Sequence, residues 1–223
     1  MSATRTARRR SSSRTRRPRR SPEEVRDRIY TVALRRIRET GFEDTSVSQV
    51  TREADVAKGT FFNHYATKDH LLARALDEIL TRVLDSASSG PGGTDAVTAV
   101  LNALALEMAH DPSLARAIVP RLGTLPPTGT PGAGVDEAAD LPAHERLRRW
   151  IRDRLSESLR LSVPLEEPDD QTLSVLLVAV FEATLREWLS ATGGEPPFPR
   201  GLLHARAAYL LVSAGFARPP SPS

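Results

Sequence analysis

Between residues 45 and 68 the chain sets out groups suited to holding a phosphate backbone and reading base edges. Thr45 and Ser46 place hydroxyls at a helix start, where free amides and the helix dipole attract phosphate. Lys58, Gly59, Thr60, Asn63 and His64 follow in one short segment, KGTFFNHY, of mostly small and hydrogen-bonding side chains. Such a segment fits a major groove. Lys58 and Thr60 would touch base edges, Gly59 would let the backbone approach closely, and Asn63 and His64 would donate to phosphate or base. Lys68 falls in the first turn of the next helix, where a cation opposes the dipole and a nearby phosphate would relieve the conflict. Phe61 is assigned to the core, as the apolar anchor of the short helix.

Catalytic chemistry finds no comparable set. There is no cysteine, and the histidines, His64, His70, His110, His144 and His204, form no metal-ligand spacing. No GxSxG or Walker lysine loop occurs, and Gly129 to Gly134 is a proline-interrupted loop instead of a dinucleotide fingerprint. No catalytic residue, metal or cofactor is expected.

The elements that must position the reading groups are helices with local start and stop signals. Ser21, Pro22 and Glu24 read as an N-cap, a first-turn proline and the far half of a capping box. Val25, Ile29, Val32, Ala33 and Ile37 repeat at helical spacing until Gly41 ends the helix, with Phe42 folding back on Ile37. A second box, Ser46 with Gln49, opens a short helix at 45 or 46 that ends near Ala54. Asp55 takes the turn, and a third helix covers about 57–65. Thr67 caps a fourth, whose Leu72, Leu76, Ile79 and Val83 mark an apolar face reaching residue 86 or so.

Gly90-Pro91-Gly92-Gly93 interrupts the pattern. Helices are then expected at 96–110, 112–119, 147–159, 171–191 and 201–214, with a Pro- and Gly-rich loop over 123–142. Strand alternation is missing, so the expected class is all-α, with about nine helices. Residues 1–20 form an Arg-rich arm expected to be disordered alone. A helix-turn-helix domain spans 21–67, a second helical domain 68–217, and a short disordered tail 218–223.

Charge is distributed unevenly. The net charge of +3 includes nine arginines and no acid within residues 1–20, so the rest carries +3 − 9 = −6. Residues 45–70 are neutral, with Arg52, Lys58 and Lys68 set against Glu53, Asp55 and Asp69. Counterion-release affinity would therefore come from the arm, following the backbone or entering the minor groove. The longest apolar run, Val175 to Phe181, is far short of the ~20 residues of a membrane helix. No apolar stretch follows the basic start, and a cytoplasmic protein without membrane contact is expected.

Gly41-Phe42, Thr45-Ser46, Val50, Ala54, Val56, Lys58-Gly59-Thr60, His64-Tyr65, Lys68 and Leu71-Leu72 resemble, in register, the TetR family of bacterial transcriptional repressors. The resemblance covers roughly residues 25–76 and departs from the family pattern at three places. Asp55 stands where Gly is usual, Ala57 where Ser is common, and Phe62 where Tyr is frequent. It implies a sequence-specific regulator, most simply a repressor released from a palindromic DNA operator by a small-molecule effector. An activator and a ligand-independent architectural DNA binder are the alternatives.

One reading helix covers only a half-site, so a homodimer is expected, with its two reading helices about 34–36 Å apart. The helix at 171–191 is apolar on more than one side and must bury against its own core and something else. The resemblance makes that partner a second subunit, through Leu173, Leu177, Val180, Thr184 and Trp188 with Leu203 and Leu210 of the last helix. An apolar effector pocket is expected behind the fourth helix. Met108, His110, Trp150 and Phe181 are its candidate liners.

Overall fold

The structure, a computed structural model, describes residues 21–87, 93–128, 141–157, 170–191 and 202–213. The arm, the tail and residues 129–140 of the Pro- and Gly-rich loop lie outside them. The described residues form nine α-helices and no strand. In order these are α1 (Pro22–Thr40), α2 (Val47–Glu53), α3 (Lys58–His64), α4 (Asp69–Ala87), α5 (Gly93–His110), α6 (Pro112–Ile118), α7 (Ala143–Glu157), α8 (Asp170–Ser190) and α9 (Leu202–Ser213). A 3-10 turn, Val119–Arg121, continues α6.

Local signals set the first boundaries as expected. The Ser21 hydroxyl accepts from the Glu24 amide at 3.1 Å, and the Glu24 carboxylate accepts from the Ser21 amide at 2.9 Å. Gly41 ends α1 at φ 90, its N–H donating to the Ile37 carbonyl at 2.9 Å. Ser46 and Gln49 repeat the reciprocal box at α2, at 3.2 and 2.8 Å. α3 has no side-chain cap, because Ala57 holds that position.

The turn between α2 and α3 carries a backbone cost. Asp55 sits at φ 54, among the described residues the one non-glycine with positive φ. A Cβ is disfavoured there, and glycine is not. Asp55→Gly is expected to stabilise the protein by about 1 kcal/mol, read as a rise in denaturation midpoint at unchanged m-value.

A continuous core joins the reading head to the remaining helices. Ile29, Ala33 and Ile37 of α1 meet Val50, Phe61, Tyr65, Leu71 and Leu72 at one end. Leu101, Met108, Ile118, Ile151, Leu155 and Leu185 extend it at the other. α4 serves both ends, packing on α1 near its start and on α5 and α7 further along.

On α8 the structure corrects the expected dimer residues. Leu173, Leu177, Thr184 and Trp188 are buried within their own chain, where α8 packs on α7 and α9. The Thr184 hydroxyl accepts from Arg206 of α9 at 2.7 Å and donates to the Val180 carbonyl at 2.7 Å. Val180 and Leu210 are half-buried. The Leu203 side chain falls outside the described residues. The apolar surface that α8 leaves open is instead Val175 (39% exposed) and Leu176 (46% exposed), flanked by Ala179 and Ala183.

Candidate DNA-binding interface

α3 is anchored from below by aromatic packing. Phe61 is fully buried, its ring 5.4 Å from Phe62 edge-on and 5.8 Å from Tyr65. Tyr65 is tied on both sides. Its hydroxyl donates to the Arg26 carbonyl at 3.2 Å and accepts from the Arg74 guanidinium at 2.9 Å.

Arg74 also reaches Asp27 at 2.7 Å and Glu78 at 2.9 Å, and lies over the Tyr30 ring at 4.0 Å. The Tyr30 hydroxyl donates to Glu78 at 2.8 Å. Burial, with Glu78 beside it, pushes the Tyr30 phenol above its ordinary range, so it stays a neutral donor. One guanidinium thereby fixes α1, α4 and the end of α3 in a single arrangement.

With that anchor set, α3 turns a mostly polar face outward. Lys58, Gly59, Phe62 and Asn63 are exposed, while Thr60 and His64 are half-buried beside them. A side chain built at Gly59 would meet nothing within 4 Å, so this part of the backbone faces open space. The side chains of Lys58, Asn63 and His64 make no hydrogen bond or ion pair with other described residues. Phe62, 47% exposed, is the large apolar group on this face. Ser46 is exposed at the start of α2, its oxygen capping the helix and its proton free to donate.

Two expected contacts are placed elsewhere. Thr45 is fully buried, its hydroxyl donating to the Gly41 carbonyl at 2.7 Å and lying 3.3 Å from Thr40. It ties the α1–α2 loop together and leaves the surface set. Lys68 precedes α4; its ammonium donates to the Phe42 carbonyl at 2.6 Å and lies 4.0 Å over the Phe42 ring. Those contacts resolve the dipole conflict inside the protein, with no phosphate needed. Just before α4 the Thr67 amide donates to His70 Nδ1 at 3.3 Å, and the Thr67 hydroxyl lies 2.9 Å from the same nitrogen.

Behind the reading head, Phe42 is held by a second cation. Arg121, at the end of the 3-10 turn, lies 4.4 Å over the same ring and also pairs with Glu43 and Asp69. Arg38 of α1 meets Asp111 at the start of α6 at 2.6 Å. These contacts connect α1 and its loop to the α6 region.

A small cavity of about 20 Å³, room for little more than one water, lies where α4, α5, α7 and α8 meet. Met108 and Phe181 line it. His110 does not: it is exposed at the end of α5. Trp150 is half-buried outside the lining, near Arg154. The polar liners are His144 and Glu182, which the sequence reading missed. Their spacing was the available signal: His144 stands three residues before Leu147 on α7, and Glu182 four after Val178 on α8.

Comparison with known proteins agrees with this arrangement. Residues 29–75 match the family model described as bacterial regulatory proteins, tetR family. A 78-residue stretch is 28% identical to the uncharacterized HTH-type transcriptional regulator YvdT of Bacillus subtilis (strain 168), covering 35% of this chain and 40% of that protein. The match therefore spans about two-fifths of that relative's length. Thermus thermophilus FadR, a TetR-family transcriptional repressor solved with lauroyl-CoA, superimposes with a TM-score of 0.62 at 20% identity, over 89% of this chain and 99% of that one. FadR of Bacillus subtilis, solved with stearoyl-CoA, gives 0.57 at 17% identity, over 85% and 97%. At these identities the likeness is one of fold.

Proposed function

We propose that this chain, a tetR-family regulator by its reading head and helical fold, acts in the cytoplasm as a homodimeric repressor released from its operator by a small-molecule effector. The observation that carries the DNA-binding part is the outward face of α3. A buried Phe61 and a braced Tyr65 hold Lys58, Thr60, Asn63 and His64 on one open surface around Gly59. Ser46 adds a hydroxyl at the start of α2. The DNA-facing set is thus Ser46, Lys58, Gly59, Thr60, Asn63 and His64, without Thr45 and Lys68.

Lys58→Ala should cost about 1–3 kcal/mol of operator binding, a loss of roughly fivefold to over a hundredfold by fluorescence anisotropy. If Lys58 reads a base, the loss will be concentrated on the cognate site; if it holds phosphate, random duplex will weaken equally. Unchanged affinity on both would remove Lys58 from the site.

The arm contributes differently. Removing residues 2–20 deletes nine arginines. It should weaken binding and flatten its salt dependence by about 0.9 in log–log slope for each phosphate no longer neutralised. An unchanged slope would make the arm a bystander.

The dimer reading rests on the open apolar strip of Val175 and Leu176 on α8, and on Tyr209 of α9, which is 73% exposed. Release rests on the position of the cavity. Anything larger than a water must part α4 from α5, α7 and α8, and α4 begins against the reading head. Effector binding would therefore favour a different setting of α4, and so a different separation of the two α3 helices. Arg121 on Phe42 and Arg38 on Asp111 give α6 a second hold on the same head.

A further inference from the structure

Phe62 stands on the outer face of α3, a large apolar group 47% exposed among the exposed residues Lys58, Gly59 and Asn63. On an ordinary surface a singly exposed apolar side chain needs no explanation. The position of this one sets it apart. Lys58 stands four residues before it and Gly59 three, so all three share one side of the helix. Whatever brings Lys58 to DNA brings the phenyl ring there as well.

Two features keep the ring outside. The core position beneath it is filled by the fully buried Phe61, whose ring meets that of Phe62 edge-on at 5.4 Å. The space inward of Phe62 is thus taken. On the outer flank Gly59 contributes no side chain, and a Cβ built there meets nothing within 4 Å. That flank of the helix is open, and a duplex can come close to the backbone beside the ring.

What the ring meets in a major groove follows from the chemistry of the groove. Base edges there present hydrogen-bond donors and acceptors and one apolar group, the C5-methyl of thymine. A phenyl ring pressed on a donor, an acceptor or a phosphate oxygen strips its water and returns no hydrogen bond. Pressed on the methyl, it removes apolar surface of both partners from water. Phe62 carries no hydroxyl with which to hold a phosphate.

We propose that Phe62 is a specificity-determining residue that reads a thymine methyl, so that each operator half-site carries a thymine opposite it. This rests on the reading of α3 as the element that enters the major groove.

The test starts from an operator selected by the full-length protein out of a randomised duplex pool. Each thymine is then replaced by uracil in both half-sites at once, which removes the methyl and keeps every hydrogen-bonding group. Anisotropy should find a position at which the loss is about fifteenfold, roughly fourfold for each methyl. Phe62→Ala should bind the thymine and uracil forms of that operator equally, at about the affinity of the wild type for the uracil form. Phe62→Leu, still apolar, should keep part of the preference. Unchanged melting temperatures would establish that both variants are folded.

An operator that tolerates uracil at every position would overturn the proposal. So would a methyl preference that survives Phe62→Ala, because another side chain would then read the methyl. A loss in Phe62→Ala that is equal on operator and random duplex would overturn it too. A pool that yields no preferred sequence would fell the reading of α3 itself, and the proposal with it.

Discussion

Replacing Leu176 with glutamate is expected to yield a folded monomer whose operator affinity falls by about a hundredfold or more. Leu176 is 46% exposed within one chain, so the substitution leaves the protomer core intact. Its neighbours on the open strip are Val175, Ala179 and Ala183, at helical spacing along α8. In a two-fold interface each residue meets the same patch on the partner, so one substitution introduces two carboxylates. Burying them unpaired costs several kcal/mol.

Loss of the dimer then removes the second reading helix and its contribution to effective concentration on a palindrome. Sedimentation gives the oligomeric state, and anisotropy on the operator gives the affinity. The internal control is Leu177, buried in the same helix. Leu177→Ala should lower melting temperature through core loss of about 2–5 kcal/mol and leave the dimer surface untouched. A Leu176→Glu protein that still sediments as a dimer would place the interface elsewhere.

Phe61→Ala is expected to have the largest effect on the reading head's stability. The side chain is fully buried and packs against Tyr65 and Phe62 under a helix of only seven residues. So short a helix holds its shape by tertiary packing and not by its own hydrogen bonds. Emptying the site should cost about 3–5 kcal/mol, lowering the melting temperature by roughly 6–20 °C in a chain of this size. DNA binding should fail in parallel, although Phe61 itself lies in the core and not on the open surface of α3. Phe62→Ala, one residue on and 47% exposed, should change melting by less than about 2 °C. Equal effects of the two substitutions would contradict the assignment of inner and outer faces on α3.

Those two faces were legible from the chain alone, as were the capping boxes at Ser21 and Ser46, because each depends on residues within one or two turns. That Asp55 takes the turn was legible for the same reason. Thr45 and Lys68 were misjudged for different reasons: the Thr45 hydroxyl turns back on its own loop, whereas the partner of Lys68 is distant in sequence. Thr45 finds the Gly41 carbonyl across the α1–α2 loop, and Lys68 finds the Phe42 carbonyl and ring from 26 positions away. A hydroxyl at a helix start and a lysine at the next one look alike whether they face solvent or a neighbouring loop.

The α8 surface was ambiguous for a different reason. A helix apolar on several sides gives no periodic signal for which side faces its own core. Leu173, Leu177 and Trp188 turned inward and Val175 and Leu176 outward only when α7 and α9 packed against the helix. The cavity was partly readable. Met108 and Phe181 are apolar side chains on helices, whereas His144 and Glu182 are polar residue types that read as surface positions. Their burial comes from four helices converging on one point.

Selection of bound sequences from a randomised duplex pool, followed by the stoichiometry of the winning complex, tests the central claim most directly. The expected winner is an inverted repeat whose half-sites lie one helical turn apart, about 34–36 Å between centres or a multiple of it, occupied by a pair of chains. Enrichment of a single unrepeated half-site held by one chain, or no enrichment over random duplex, would contradict it.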